Sequence, residues 1–176
     1  MTEQVTGTTY HESPSDGGEV AAGASVTPGM GIEKTGSNPD DDPLLQPVSS
    51  IEPADAQTRF AVEQGTPPRG GDGRMIDQAS AAGEHVEFRI YRPGDVVENA
   101  LVASGTDLND DGGVGGGTTA GSAQANVSDG DSLAFYSDGS LKVAQSGDAA
   151  VAVAREDVDN SGAAAGDRAR ISVEVL

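Results

Sequence analysis

Two stretches of this chain space their oxygen donors as a hard cation would need them. Asp107-Leu108-Asn109-Asp110-Asp111-Gly112 sets Asp107, Asn109 and Asp111 at alternate positions, with a glycine at the sixth for a sharp turn. That is the first half of a calcium loop, because Ca²⁺ and Mg²⁺ take carboxylate and carbonyl oxygens. Asp157-Val158-Asp159-Asn160-Ser161-Gly162 repeats the spacing with Asp157 and Asp159. The second half of the pattern is missing from both, since Thr118 and Arg168 stand where a bidentate glutamate belongs. The two loops are therefore candidate Mg or Ca sites, against the plainer reading of solvated acidic turns.

Other chemistries find less support. Gly112 to Gly117 lacks the Gly-Lys-Ser/Thr ending of a phosphate loop, and Asp110 and Asp111 would repel phosphate. His11 and His85 are the only imidazoles, and neither sits in a Ser/His/Asp setting; His85 reads as a surface residue at the start of a strand. Without cysteine there is no thiolate metal site, disulfide or thiol nucleophile. Carboxylates are too many for one pair to stand out as acid and base. The expectation is no enzyme and no cofactor.

The 176 residues carry 29 Asp and Glu against 10 Lys and Arg, a net charge of -19. Such a chain opposes the phosphate contacts on which nucleic-acid affinity rests, and no basic stripe offsets it. At molar salt the Debye length is about 3 Å, so dispersed carboxylates stop repelling one another and their hydration keeps the protein soluble. The balance is that of a halophile. The longest clean apolar tract, Ala149 to Ala154, falls far short of the roughly 20 residues that span a bilayer. No membrane association is expected.

Three regions follow from texture. Residues 1–55 hold ten acids, one base and six of the nine prolines, and read as an extended acidic arm unable to build a core alone. Val20, Val26, Met30, Ile32, Leu44, Leu45, Val48 and Ile51 would be its anchors, and the arm is the segment expected to recognise a partner. Residues 56–84 read as a linker, with a short helix over Pro53 to Gln64 that carries Phe60 on its apolar side, then a Pro/Gly loop from Gly65 to Gly73.

From residue 85 to 176 the period becomes two. Val86, Phe88 and Ile90 alternate with Glu87, Arg89 and Tyr91; Arg92-Pro93-Gly94-Asp95 turns; Val96 to Ala103 follows as a strand. Leu133 and Phe135 share a face, Ser137-Asp138-Gly139-Ser140 makes a hairpin, and Leu141 to Gln145 returns. Ala149 to Arg155 and Arg168 to Val175 complete the series. The fold class expected is all-β, a small β-barrel or sandwich bearing a long N-terminal arm. About 90 residues with few aromatics make a marginal core, so assembly is expected to add stability.

The C-terminal half also resembles a known family. Arg92-Pro93-Gly94-Asp95-Val96-Val97, Asp129-Gly130-Asp131-Ser132-Leu133, Asp138-Gly139-Ser140-Leu141-Lys142-Val143-Ala144 and Gly147-Asp148 followed by Ala149 to Ala154 come in that order. With the acidic loop from Arg155 and the closing strand to Leu176, this resembles the head-decoration proteins of tailed viruses, of the phage lambda type, over roughly residues 86 to 176. The resemblance implies a β-clip or β-tulip-like domain that forms a homotrimer on the outer surface of an icosahedral capsid. It implies binding to the major capsid protein, with the arm as clamp, stabilisation of the shell and no enzymatic activity. The acidic composition would make the virus one of a halophilic archaeon. A secreted or surface halophilic adhesin or carbohydrate-binding module, and a tail or baseplate component, are the alternatives.

Overall fold

The computed structural model of this chain describes residues 15–48, 58–62, 75–110 and 122–176. Strands dominate throughout. The first seven are β1 (Ser15–Val20), β2 (Ser25–Val26), β3 (Ile32–Ser37), β4 (Pro43–Pro47), β5 (Thr58–Ala61), β6 (Ser80–Ala81) and β7 (His85–Tyr91). Five of them form a sheet in the order β3-β4-β1-β7-β5, in which only β1 and β4 run parallel. The remaining two, β2 and β6, pair as a short ribbon. A bridge between Gly31 and Phe60 brings β5 against the segment entering β3, so the sheet curls back on itself.

The next seven strands are β8 (Val96–Val102), β9 (Asn126–Val127), β10 (Ser132–Phe135), β11 (Leu141–Val143), β12 (Ala152–Ala154), β13 (Val158–Asp159) and β14 (Ala169–Val175), with a short helix α1 (Gly105–Asp110) after β8. They form a closed barrel in the order β10-β11-β8-β14-β12, and β9 pairs with β13. The all-β small-barrel expectation is thus met. A closed barrel leaves no edge to aggregate, which suits a small domain with a thin core.

Strands β8 to β14 repeat β1 to β7 one for one. The order, the directions and the single parallel pair (β8 with β11) all correspond. Register corresponds as well. Val20 opposite Leu45 matches Val102 opposite Leu141, Ala61 opposite Phe88 matches Ala154 opposite Val173, and the Gly31–Phe60 bridge matches Ser132 opposite Val153. The turns agree in detail. Gly29 N–H donates to the Ala61 carbonyl at 2.9 Å and Gly130 N–H to the Ala154 carbonyl at 2.9 Å; Met30 N–H reaches Thr27 O at 3.1 Å and Asp131 N–H reaches Ser128 O at 3.0 Å. Both glycines hold φ near +90°, at 94° and 88°, a region that glycine enters without strain. The chain is therefore two copies of one seven-strand module, 15–91 and 96–175.

Each module has its own core. Val20, Ile32, Leu45, Val86 and Phe88 cluster in the first, and their counterparts Val102, Leu133, Leu141, Ile171 and Val173 cluster in the second. These are inward positions of twisted strands, and alternation with outward polar residues is what drives them together. A third cluster, Ala103, Leu108, Ala125 and Tyr136, seats α1 on the barrel.

The module boundary corrects the sequence reading in three places. Residues 15–48, expected within an extended arm, form β1 to β4; the anchors Val20, Val26, Met30, Ile32, Leu45 and Val48 are buried in this same chain. Leu44 is half-buried, and Ile51 lies outside the described residues. Strand β7, expected to open the 85–176 domain, instead joins β1 and β5 in the first module. The helix expected over Pro53 to Gln64 is contradicted at β5, which is extended, and at Val62, whose N–H donates to Glu87 O at 3.0 Å; residues 53–57 and 63–64, and Gly65 to Gly73, lie outside the described residues. Arg59, Phe60 and Ala61 are all buried, so β5 shows no two-residue period, and four residues are too few for a pattern to register.

Candidate interaction surface

The most elaborate side-chain arrangement lies where the modules meet. Phe60 projects from β5 of the first module into the core of the second, with its ring 5.4 Å from Phe135 and 5.8 Å, edge-on, from Tyr91. Such aromatic pairs add roughly 0.5–1.5 kcal/mol beyond the area they bury. Gly31 admits the Phe135 ring, since a Cβ there would collide with it, and donates its N–H to the Gly139 carbonyl at 2.6 Å. Burial also raises the Tyr91 phenol above its ordinary range; the Arg89 charge pulls it back and the Asp95 charge pushes it up.

Arg170, on the outward face of β14, clamps the modules together. Its guanidinium donates to Pro28 O (3.1 Å), Asn99 O (2.9 Å), the Asp77 carboxylate (3.0 and 3.2 Å) and Ile76 O. A planar fork of donors suits this task, because one side chain satisfies carbonyls from several segments at once. Beside it opens a groove of about 590 Å³ between the modules, lined by Ala24, Thr27, Met30 and Gln46 from the first and by Ser137, Asp138 and Arg168 from the second. Arg168 is turned onto Asp138 at 2.5 Å, and Asp138 also accepts the Ser140 N–H at 2.8 Å, which fixes the β10–β11 hairpin that forms this wall.

A second feature belongs to the second module alone. Helix α1 and the 160–168 loop have no counterpart of their size in the first module's 21–24 and 82–84 turns, and the two additions pack together. Asn160 is the hub, its carboxamide donating to Ala103 O at 3.0 Å and Asp167 O at 3.2 Å. Thr106 donates to Ala163 O at 2.7 Å, and Gly105 is pressed against the Ser161 backbone, where a Cβ would not fit.

These contacts bring the two candidate cation loops side by side, which their spacing in the sequence did not suggest. Ser104 caps α1, its Oγ accepting the Asp107 N–H at 3.0 Å, and the Asp107 carboxylate accepts the Gly166 N–H at 3.0 and 3.2 Å. Asp157 accepts the Asp129 N–H at 2.8 Å. Asp159 accepts both the Ser161 hydroxyl (2.6 Å) and N–H (3.0 Å). Those two bonds, the hydroxyl first, hold the Asp159 carboxyl below its ordinary range. The three aspartates thus serve as loop ties, and among the described residues no three acidic, histidine or cysteine side chains converge as a metal site would need. Asp111 and the side chain of Asn109 lie outside the described residues, as does His11. His85 is exposed at the start of β7, as its position suggested.

Sequence reasoning missed a buried ion pair. Lys142 on β11 points away from the barrel, yet the 145–148 turn folds over it; Lys142 Nζ lies 2.5 Å from Asp148 Oδ2, and the two side chains are 1% and 0% exposed. Asp148 Oδ2 also accepts the Gln145 N–H at 2.8 Å, closing the turn. The signal available was Gly147-Asp148 a few residues after an isolated lysine in an apolar strand. Compared with protein-family profiles and with curated proteins, the chain matches no family and no relative.

Proposed function

We propose that this chain is a structural virion protein, a non-enzymatic coat on the outside of an icosahedral capsid in a tailed virus of a halophilic archaeon. As a homotrimer it would bind the major capsid protein and clamp neighbouring capsomers. The observation that carries the reading is the placement of the resembling segments. Arg92 to Asp95 turns into β8, Asp129 to Asp131 leads into β10, Asp138-Gly139 makes the β10–β11 hairpin, and the last two segments supply β12 and β14 of one closed barrel. An edge-free barrel and an acidic, salt-tolerant surface both suit an exposed position on a particle.

The mechanism is avidity. Each chain contributes modest affinity, and once one is seated its tethered neighbours bind at high effective concentration, so release is slow. The clamp falls to residues 1–14, because 15–48 belong to the first module. Removing 1–14 should abolish capsid binding and leave the modules folded; retained binding would remove the clamp from the mechanism.

The test of the whole reading is mass-spectrometric quantification of this chain against the major shell protein in particles purified at high salt. A ratio near one supports a coat. A small ratio moves the chain to a vertex, tail or baseplate, and absence from particles sinks the proposal. The inter-module groove favours one second reading, a halophilic surface module that takes a small polar ligand such as a glycan. Glycan binding by the isolated protein would support it.

A further inference from the structure

The joint between the modules is head-to-tail. The first module contributes one face, Gly29, Gly31 and Phe60, whereas the second contributes a different one, Asn99 to Leu101, Phe135, Gly139 and Arg170. An interface of this kind uses each face once per pair and leaves the complementary faces open at the two ends. Because the modules correspond strand for strand, those open faces can be named. On the second module, the counterparts of Gly29, Gly31 and Phe60 are Gly130, Ser132 and Val153. On the first, the counterparts of Asn99, Phe135 and Arg170 are Gly17, Lys34 and His85.

The geometry behind this naming is independent of the barrel pairings. Arg170 donates to the Asn99 carbonyl, and a Cβ on Gly17 would lie 2.5 Å from the His85 imidazole, so the two side chains lie over equivalent points of β8 and β1. Chemistry has diverged in a correlated way. Within the chain, Arg170 meets the Pro28 carbonyl; across the open faces, His85 would meet Asp129, the counterpart of Pro28. Lys34 stands where Phe135 stands, and Asp131 where Met30 stands. One face therefore carries Lys34 and His85, with Asp16 on Lys34 at 3.5 Å and Glu19 held by Asn38. The other carries Asp129 and Asp131, with Arg155 already paired to Glu174 at 2.6 Å.

We propose that these two faces bind each other between copies of this chain, so that the Asp129 face of one copy seats on the Lys34–His85 face of the next. The inner joint is aromatic and dry; the outer one is polar and rests on charge complementarity, which gives specificity more than strength. Salt acts on it in two ways: it relieves the repulsion between copies that each carry a net charge of -19, and it spares the cross-face attraction only where the groups touch within the Debye length. The inference deepens the self-association in the proposed function by naming its surfaces, and it does not rest on the capsid.

The test is light scattering on the full chain in molar salt over a concentration series. The mass should rise from that of one chain, 17.6 kDa, to a whole multiple of it. Asp129→Lys and His85→Asp should each weaken association at least about tenfold, and the two together should restore it. Lys34→Glu, on the same face, provides a further variant, and circular dichroism checks that each one folds. A chain that stays single at every concentration overturns the proposal. So does assembly that the single variants leave unchanged, or a double variant that fails to recover. Assembly in solution without capsid binding would keep this inference and refute the decoration role; capsid binding by a chain that never self-associates would do the reverse.

Discussion

Replacing Phe60 with alanine tests whether the two modules stand or fall together. The side chain is fully buried, belongs by sequence to the first module, and packs in the core of the second against Phe135 and Tyr91. Truncating a buried Phe to Ala costs about 3–5 kcal/mol, and the loss of two aromatic contacts places this site at the upper end. Against a total stability of roughly 5–15 kcal/mol, that is a large share. At about 2–4 °C per kcal/mol for a chain of this size, a cost of about 4–5 kcal/mol should lower Tm by roughly 8–20 °C. The assay is urea and thermal unfolding in molar salt, followed by far-ultraviolet circular dichroism, since the chain has no tryptophan. One cooperative transition is expected before and after the change. Val153→Ala, at the equivalent but half-buried position, should cost about 1 kcal/mol or less. A biphasic curve in which only half the signal moves, or a loss below about 1 kcal/mol for Phe60→Ala, would refute the shared core.

Three further outcomes follow from the geometry. Lys142→Met should destabilise by about 3–5 kcal/mol in urea unfolding, because it strands the buried Asp148 carboxylate, and Lys142→Met with Asp148→Asn should recover part of the loss. Gly31→Ala should cost about 1–3 kcal/mol, since its methyl must displace the Phe135 ring, whereas Gly23→Ala, with open space around it, should cost only the strain of a positive φ; thermal melts separate the two. Ser161→Ala should raise the Asp159 carboxyl back toward its ordinary range, read by NMR titration. Because its folded value is the lower one, the stability that Asp159 contributes is present above the unfolded value and lost as pH falls through the folded one, and the variant should narrow that acid-side loss.

How much of this could be read from the chain divides by module. The second module was legible because its strands alternate cleanly, as Ile171, Val173 and Val175 do, and because Asp138-Gly139 sits between two apolar runs. The first module was hidden by residues that usually punctuate. Gly17 and Gly18 look like a turn, but they lie within β1, where a Cβ on Gly17 would strike His85 and one on Gly18 would strike Leu45. Glycine there marks close approach rather than a bend. Pro43 and Pro47 look like breakers, yet they are the first and last residues of β4. The repeat leaves little trace in the sequence because connections of unequal length separate equivalent strands, and because core positions share only apolar character, Ile32 with Leu133 or Phe88 with Val173. Both cation loops were visible as patterns; that Gly166, Asp129 and Ser161 would take up their carboxylates depended on folding that no local spacing encodes.

Carrying two modules on one chain also changes what selection can do. In a ring of identical subunits every substitution appears at all copies, so a surface cannot become aromatic at one joint and charged at the next. Here Phe135 and Lys34, or Gly31 and Ser132, occupy matching positions but are separate codons of one gene, so each can change without the other. The fused pair escapes the symmetry that a closed homo-oligomer imposes. Within the chain one face is aromatic while its counterpart is polar, and α1 stands on the second module with nothing of its size required on the first.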